Sequence, residues 1–310
     1  MPAEELIEIE YRMELREKGI IRYLGGKTEF LHRGYLDGVD LAFMVHTGIG
    51  KNLVVKSAHV GCMSKRVIYQ GKSAHAGGSP WNGINALYAA QQGLGAINAI
   101  RETFRERDYI RVHPIITAGG SAVNAIPDHV VMESYIRGIS FEAMTNANRR
   151  VNRALIGAAL SMGGNVDIQD SPGYAPVRQD PGLTSVAKDA AQAIGYPFSF
   201  DSAPSTGSTD MGDVSQVMPA LHPSCPGATG TSHGSDYRIA DPDTACLLSA
   251  QWQLVMLHLL LENDARRARE IAANYTSDFS SVRDYLNYLD TLSLCGDRIR
   301  YTDTGAEVTL

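Results

Sequence analysis

Histidine, glutamate and aspartate are the side chains in this sequence whose types and positions suggest chemistry. Glu4-Glu5 are adjacent carboxylates near the first residue. In a regular helix they would point about 100° apart and could not easily share a ligand. In a turn, one could bind a metal while the other faces the metal-bound water. Acidic residues also suit the first turn of a helix through its dipole, with no chemistry implied. His46 closes an apolar run and precedes Thr47-Gly48, where a strand gives way to a loop that can face a cleft; a half-buried structural histidine fits equally. His75 lies in the loop Gly71-Lys-Ser-Ala-His-Ala-Gly-Gly-Ser-Pro80, where it could donate to a developing oxyanion or stand exposed. His233 lies in Gly230-Thr-Ser-His-Gly-Ser-Asp236, whose small residues would let a backbone approach a metal or a substrate, as would any surface loop. Asp210 and Asp213 share Gly207-Ser-Thr-Asp-Met-Gly-Asp-Val214, a run that suits a helix cap. His222-Pro223 has no evident partner. Neither a Walker loop nor a GxGxxG fingerprint is present. Imidazoles and carboxylates scattered over loops suit hard or borderline divalent cations, zinc first.

These residues need elements to hold them. Leu6, Ile9, Met13 and Ile20 recur at roughly helical spacing until Gly25-Gly26 ends the pattern. Leu36 to Val45 reads as a buried strand ending at His46. From there the spacing predicts a strand at 65–70 and a long amphipathic helix marked by Ile84, Leu87, Ala90, Leu94, Ile97, Ile100 and Phe104. Strands at 111–117 and 129–137, a helix marked by Phe141, Met144, Val151, Leu155 and Met162, and a strand at 165–169 follow. Strand, helix, strand, strand, helix, strand is the split βαβ, or ferredoxin-like, order. Asp180-Pro181 opens a further helix with a capping residue and proline at its first position. Residues 200–236 are rich in Ser, Thr, Gly, Asp and His, and a long loop region in a compact domain is more often functional than idle. A helix is predicted over 244–264, and partial helix around 282–292.

Composition narrows the function classes. The net charge is −6, from 28 basic and 34 acidic residues, which gives no electrostatic footprint for nucleic acid or an anionic membrane. An apolar share of 44% against 20% charged argues against disorder. The four cysteines, Cys62, Cys225, Cys246 and Cys295, form no close pair, which excludes a zinc ribbon or a CxxC centre. No apolar run of transmembrane length and no signal-like start stand out, so the cytoplasm is the expected location.

Five strings in order resemble the M20 family of metal-dependent amidohydrolases and peptidases. They are Pro2-Ala-Glu-Glu5, Asp37-Gly-Val-Asp-Leu-Ala-Phe-Met-Val-His46, Gly71-Lys-Ser-Ala-His-Ala76 with Pro80-Trp-Asn-Gly-Ile-Asn-Ala86, Val123-Asn-Ala-Ile-Pro-Asp128, and Gly207-Ser-Thr-Asp-Met-Gly-Asp-Val-Ser215. The resemblance spans about residues 2–262. It implies an α/β catalytic domain carrying two divalent metal ions, zinc before manganese or cobalt, interrupted by an α+β ferredoxin-like lid that also makes a homodimer. The implied domains are 1–60 and 176–264 for the catalytic part, 61–175 for the lid, and 265–310 for a C-terminal tail. Position by position, Glu4 resembles the general base, Glu5, His46 and His233 resemble metal ligands, and His75 resembles the lid histidine that polarises the scissile carbonyl across the dimer. Asn124 and Arg137 resemble the pair that grips the substrate carboxylate. The implied substrate is a small amide with a free carboxylate, an N-acyl amino acid, p-aminobenzoyl-glutamate-like compound or dipeptide. The implied partner is a second copy or a second M20-type subunit.

Family members carry further ligands, including a bridging one, upstream of the Glu-Glu pair. The sequence therefore reads as an N-terminally truncated catalytic domain, short by on the order of a hundred residues, a domain-sized piece. The alternative is a non-catalytic subunit that dimerises and binds carboxylates without a complete metal centre.

Overall fold

The structure, a computed structural model, describes residues 5–310; Glu4 lies outside the described residues. The chain divides into two compact units. One holds residues up to Ile7, Glu14–Val60 and Tyr174–Leu286; the other holds Glu8–Met13, Gly61–Gly173 and Asn287–Leu310. The segment 265–310, expected as a tail, is therefore shared between both units.

The second unit is built on six elements: β1 (Gly61–Gln70), α1 (Ala86–Ile100), β2 (Arg111–Ala118), β3 (His129–Gly138), α2 (Phe141–Ser161) and β4 (Asn165–Tyr174). Their sheet order is β2-β3-β1-β4, the split βαβ arrangement. β3 pairs antiparallel with β1 from Gly61↔Gly138 to Gln70↔His129, and with β2 from Arg111↔Arg137 onward. The apolar stripe of α1 buries Ala86, Ala89, Ala90 and Ile97, and that of α2 buries Met144, Ala147, Val151 and Leu155. Both stripes meet Val67, Tyr69, Met132 and Ile136 of the sheet in one core. Each helix starts on a side-chain cap, Asn85 for α1 and Ser140 for α2, which satisfies N–H groups the first turn leaves open.

One polar cluster interrupts this core. Lys65 and Asp170 are both 1% exposed, and the Lys65 Nζ bonds the Asp170 carboxylate and the Asn152 Oδ1. Asn148 and Asn152 each donate to the other Asp170 oxygen, at 2.6 and 3.0 Å. The pair thereby has the extra hydrogen bonds that a buried ion pair needs to offset its desolvation.

In the first unit, Phe198–Asp201, Leu53–Lys56, Ser224–Thr229 and Arg238–Ile239 lie side by side, and His46–Ile49 also pairs with Ser224–Thr229. The strand expected to end at His46 is shorter, Ala42–Phe43, and runs parallel to Ala220–Leu221. Pro181–Ala193 is a helix whose Asp180 cap accepts from the Leu183 N–H at 2.8 Å. Its Leu183, Val186, Ala187 and Ala190 pack with Leu53, Val55, Trp252, Met256 and Leu260. The Trp252 Nε1–H is satisfied by the Ala187 carbonyl at 2.8 Å.

Gly25-Gly26 does not end helical structure but begins it. Gly25 caps Gly26–His32, because the buried Glu29 carboxylate accepts from the Arg22 and Tyr23 N–H groups and from Arg33, folding the preceding turn around the helix start. The helix predicted over 244–264 runs as a π turn, Asp243–Leu248, and then Ser249–Asn274. Asn263, Asp264 and Ala265 break it with positive φ, next to the predicted end. By length and composition alone this helix could cross a membrane; on one face Trp252, Met256 and Leu260 are buried in the protein core, while Leu254, Leu257 and Leu261 are exposed.

Lys65→Ala leaves Asp170 buried without its cation. It should lower the stability of the chain by about 3–5 kcal/mol, read by urea denaturation, whereas Lys18→Ala at the exposed Lys18–Glu14 pair should change it by less than about 1 kcal/mol.

Candidate functional site

His46 follows Ala42–Phe43 and opens the strand His46–Ile49, and His222 lies between Ala220–Leu221 and Ser224–Thr229, so two successive parallel pairings in the first unit bring both imidazoles to the same level. The His46 and His222 rings meet edge to face at 5.9 Å between centroids. His59, from the two-residue strand Ala58–His59, meets His222 at 5.0 Å.

These rings line a cavity of about 840 Å³, together with Glu5, His233 and the Lys56–Asp201 ion pair. Three residues expected to bind metal thus share one cavity wall with two histidines that the sequence left without a role. The parallel pairing was the missing signal: without it nothing ties His222 to His46. His59 lay in a stretch read only as a connector.

The imidazoles are prepared in a common way. The His46 Nδ1 lies 2.7 Å from the Thr47 carbonyl, and the His222 Nδ1 lies 3.2 Å from that of Met44. A ring nitrogen held on a carbonyl fixes the tautomer and leaves Nε2 as the acceptor, the arrangement that metal-binding histidines share. The His59 Nε2 is buried with no hydrogen-bond partner. Burial pushes the His59 imidazole down to about 4 and that of His222 down to about 3, with the neighbouring charges of Lys56 and His59 respectively adding to it. Both are neutral near pH 7, as a metal ligand or a packed ring must be. The donor chemistry therefore suits a divalent ion. Among the described residues, no three His, Cys, Asp or Glu side chains yet stand close enough to enclose one.

His233 occupies an exposed turn with φ of 60°, a left-handed backbone that a non-glycine residue adopts at a cost. The Thr231 N–H donates to Asp236 at 3.1 Å and the Gly234 N–H to the Thr231 carbonyl at 2.7 Å, and these bonds hold the turn. Gly230-Thr-Ser-His-Gly234 has the GxSxG spacing of a serine nucleophile elbow. The chain here runs strand, turn, strand, with no helix to follow, which removes that reading.

Asp210 and Asp213 serve the scaffold. Asp210 is 1% exposed and makes no side-chain cap to its own short helix Met211–Val214. It accepts instead from the Lys27 N–H at 3.0 Å and the Lys27 ammonium at 2.5 Å, at the first turn of Gly26–His32. Gly212 lies so close to the Ala175 carbonyl that a Cβ would sit 1.8 Å from its oxygen, which explains the glycine in this motif. Asp213 is buried and accepts from the Tyr285 hydroxyl at 2.5 Å. Burial, aided by the Asp210 charge and opposed by the Tyr285 hydrogen bond, pushes its carboxyl up to about 7.

The remaining expected residues lie in the second unit. The His75 Nδ1 accepts from the Gly77 and Gly78 N–H groups at 3.1 and 2.9 Å, so in the neutral ring the proton is on Nε2, which can donate. Its loop is tied to the Val123–Pro127 loop through Ala76 N–H to Asn124 O and Ile126 N–H to Ala74 O, both 2.9 Å. A Cβ on Gly71, at the base of this loop, would lie 2.2 Å from the Ile84 carbonyl oxygen. His75 and Asn124 are therefore neighbours at one end of the sheet. Arg137 is at the other, beside Gly138 and Gly61, with the β3 strand between. The eight steps of strand from His129 to Arg137 alone correspond to about 26 Å. Asn124 and Arg137 of one copy do not meet on one carboxylate.

Residues 57–161 match the peptidase dimerisation domain family of the M20 peptidases. Mouse Xaa-Arg dipeptidase is 31% identical over 204 residues, 64% of this chain and 46% of its own length. An N-acetyl-L-cysteine deacetylase from Bacillus subtilis is 28% identical over 225 residues, 65% of this chain and 51% of its own length. A dinuclear metal-binding M20 peptidase from Bacillus subtilis superposes with a TM-score of 0.57 at 19% identity, covering 78% of this chain and 63% of that one. The chain spans about half the length of the curated relatives it matches. The matched residues take in β1 to α2 of the sheet unit described above but not β4, and His75, Asn124 and Arg137 lie within the match.

Because Asp213 binds its proton more tightly in the folded than in the unfolded chain, its contribution to stability is complete below about pH 4 and is lost as pH rises to about 7. Asp213→Asn, which keeps an acceptor for Tyr285, should remove this slope, worth on the order of a few kcal/mol, in denaturation curves taken between pH 4 and pH 8.

Proposed function

We propose that this chain is an M20-type, metal-dependent hydrolase of amide bonds in N-acyl amino acids or dipeptides that carry a free carboxylate. The observation that carries this reading is the cavity that gathers Glu5, His46 and His233 beside imidazoles with open Nε2 atoms. Glu5, His46 and His233 would hold divalent metal, zinc first, and a bound ion supplies Lewis acidity to water and carbonyl.

The chain's own groups do the rest. Glu4 takes a proton from the attacking water and returns it to the leaving amine. The Nε2–H of His75, set by two backbone N–H groups on its other nitrogen, donates to the oxygen on which charge develops. Asn124 and Arg137 bind the substrate carboxylate, Arg137 through a planar fork of N–H donors. Their separation along the lid sheet supports a homodimer in which one copy lends His75 and Asn124 to a site that keeps its own Arg137. A second M20-type subunit would satisfy the same geometry.

The absence of three converging donors among the described residues favours one other reading, a non-catalytic subunit that dimerises and binds carboxylates. Metal analysis separates the two. Under the hydrolase reading, purified chain holds stoichiometric zinc, His46→Ala loses it, and Glu4→Gln keeps it while hydrolysis of an acyl-amino-acid panel falls by about 10²–10⁴-fold. His75→Ala should keep zinc and slow turnover by about 10²–10³-fold. A chain without zinc that still binds carboxylates supports the other reading.

A further inference from the structure

The C-terminal segment completes the sheet of the second unit. Its burial follows the period of a strand: Leu292 and Leu294 pack on the core of that unit and Arg298 is buried, while Cys295 and Asp297 between them face outward. Backbone bonds keep the same period. The Asp170 N–H donates to the Leu294 carbonyl at 2.8 Å, and the Leu294 N–H donates to the Asp170 carbonyl at 3.0 Å. The Ile168 N–H donates to the Gly296 carbonyl at 3.2 Å, and the Arg298 N–H to the Val166 carbonyl at 2.9 Å. These bonds share the antiparallel register of Asp170↔Leu294 and Asp167↔Asp297. Residues 294–298 therefore lie as a fifth strand on the outer flank of β4, whose inner flank pairs with β1.

Side chains fasten the segment. Ile299, 4% exposed, joins the core that holds Val67, Met132 and Ile136, and its N–H donates to the Asn165 Oδ1 at 3.0 Å. The Gln70 Nε2 donates to the Asp297 carboxylate at 3.0 Å, and the Tyr301 hydroxyl to the Gly164 carbonyl at 2.9 Å. The chain then turns back as the hairpin Ile299–Thr302 and Gly305–Val308, and the Thr309 N–H reaches the Arg298 carbonyl at 2.9 Å. The outermost strand, Gly305–Val308, is short, exposed and carries Glu307, which are features that blunt a sheet edge. The opposite flank is different. Among the described residues β2 pairs with β3 alone, and its Ile115 and Ile116 are exposed. The sheet thus has one finished flank and one open flank.

We propose that the outer flank of β4 is a strand-acceptor site, that the chain fills it with its own residues 294–298, and that this filling keeps a second copy from adding there. A bare β4 would present the N–H groups of Ile168 and Asp170 and the carbonyls of Val166 and Asp170 to an extended chain. The same flank of a second copy would complement it, since two like edges pair antiparallel about a two-fold axis. With β2 open as well, every copy would join on two flanks, and such growth does not close. Covering β4 confines joining to the other flank and ends it at a finite size. The inference concerns assembly and holds whether or not the chain hydrolyses amides.

The test compares the full chain with a chain ending at Leu292 and with Leu294→Pro, which removes the N–H bonded to Asp170. Sedimentation velocity over a concentration series reads size. Fluorescence anisotropy reads binding of a labelled peptide of residues 293–310. The full chain should sediment as one species of fixed size. The shortened chain, checked for cooperative melting, should grow with concentration, and excess peptide should return it to a fixed size. The peptide should bind the shortened chain at least about tenfold more tightly than the full chain, with Leu294→Pro between the two. Where the shortened chain does not melt cooperatively, Leu294→Pro carries both readouts. A folded variant that keeps the size of the full chain, or that fails to bind the peptide, overturns the proposal. So does a full chain that grows without limit or binds the peptide as tightly as the shortened one.

Discussion

The architecture depends on a short antiparallel contact, Ala58-His59 against Val177-Arg178. Everything between these residues leaves the first unit and returns to it. Closing so long an excursion costs little more entropy than closing a shorter one, since the penalty grows only with the logarithm of length. The excursion folds around one core, to which Ile299 and Leu294 of the C-terminal segment are added, with its own caps and its own buried ion pair. The contact does a second job. His59 belongs to the closing strand and its ring touches His222, so the strand that seals the insertion also walls the cavity.

That cavity is electrostatically quiet where its rings meet. The neutral histidines His59 and His222 pack edge to face, and Lys56 and Asp201 neutralise one another nearby. The strongest buried charges lie elsewhere, at Lys27–Asp210 and Lys65–Asp170, where they hold a helix start and a sheet-to-helix contact. Scaffold and site use different kinds of polar group. Ion pairs with full hydrogen bonding fix the backbone, while imidazoles with one nitrogen anchored and one open face the space a ligand would fill.

Local features were legible in the sequence. Apolar spacing marked α1 and α2, and Asp180-Pro181 marked a helix start, because the physics of both acts within a few residues. The features that escaped it all depend on distant parts of the chain. Gly25-Gly26 looks like a break until the Glu29 carboxylate is seen gathering the N–H groups of the preceding turn. Asp210 looks like the cap of its own helix, yet it serves a helix start far earlier in the chain, at Lys27. His222 gains a role only through the parallel pairing of two short strands. His46 and His75 stand in strings that resemble the family's, and His233 stands in none of them; the separation of Asn124 from Arg137 could not be read at all, since sequence spacing says nothing of whether a strand runs straight between them.

The β3 strand is bonded along its whole length to β1 on one side and for most of it to β2 on the other. A strand clasped on both flanks behaves as a ruler. A one-residue insertion would turn its outward side chains inward, and a two-residue insertion would demand matching changes in both neighbours. The distance from the His75 loop to Arg137 is therefore set by hydrogen bonding on both flanks of a single strand, not by the loops at its ends.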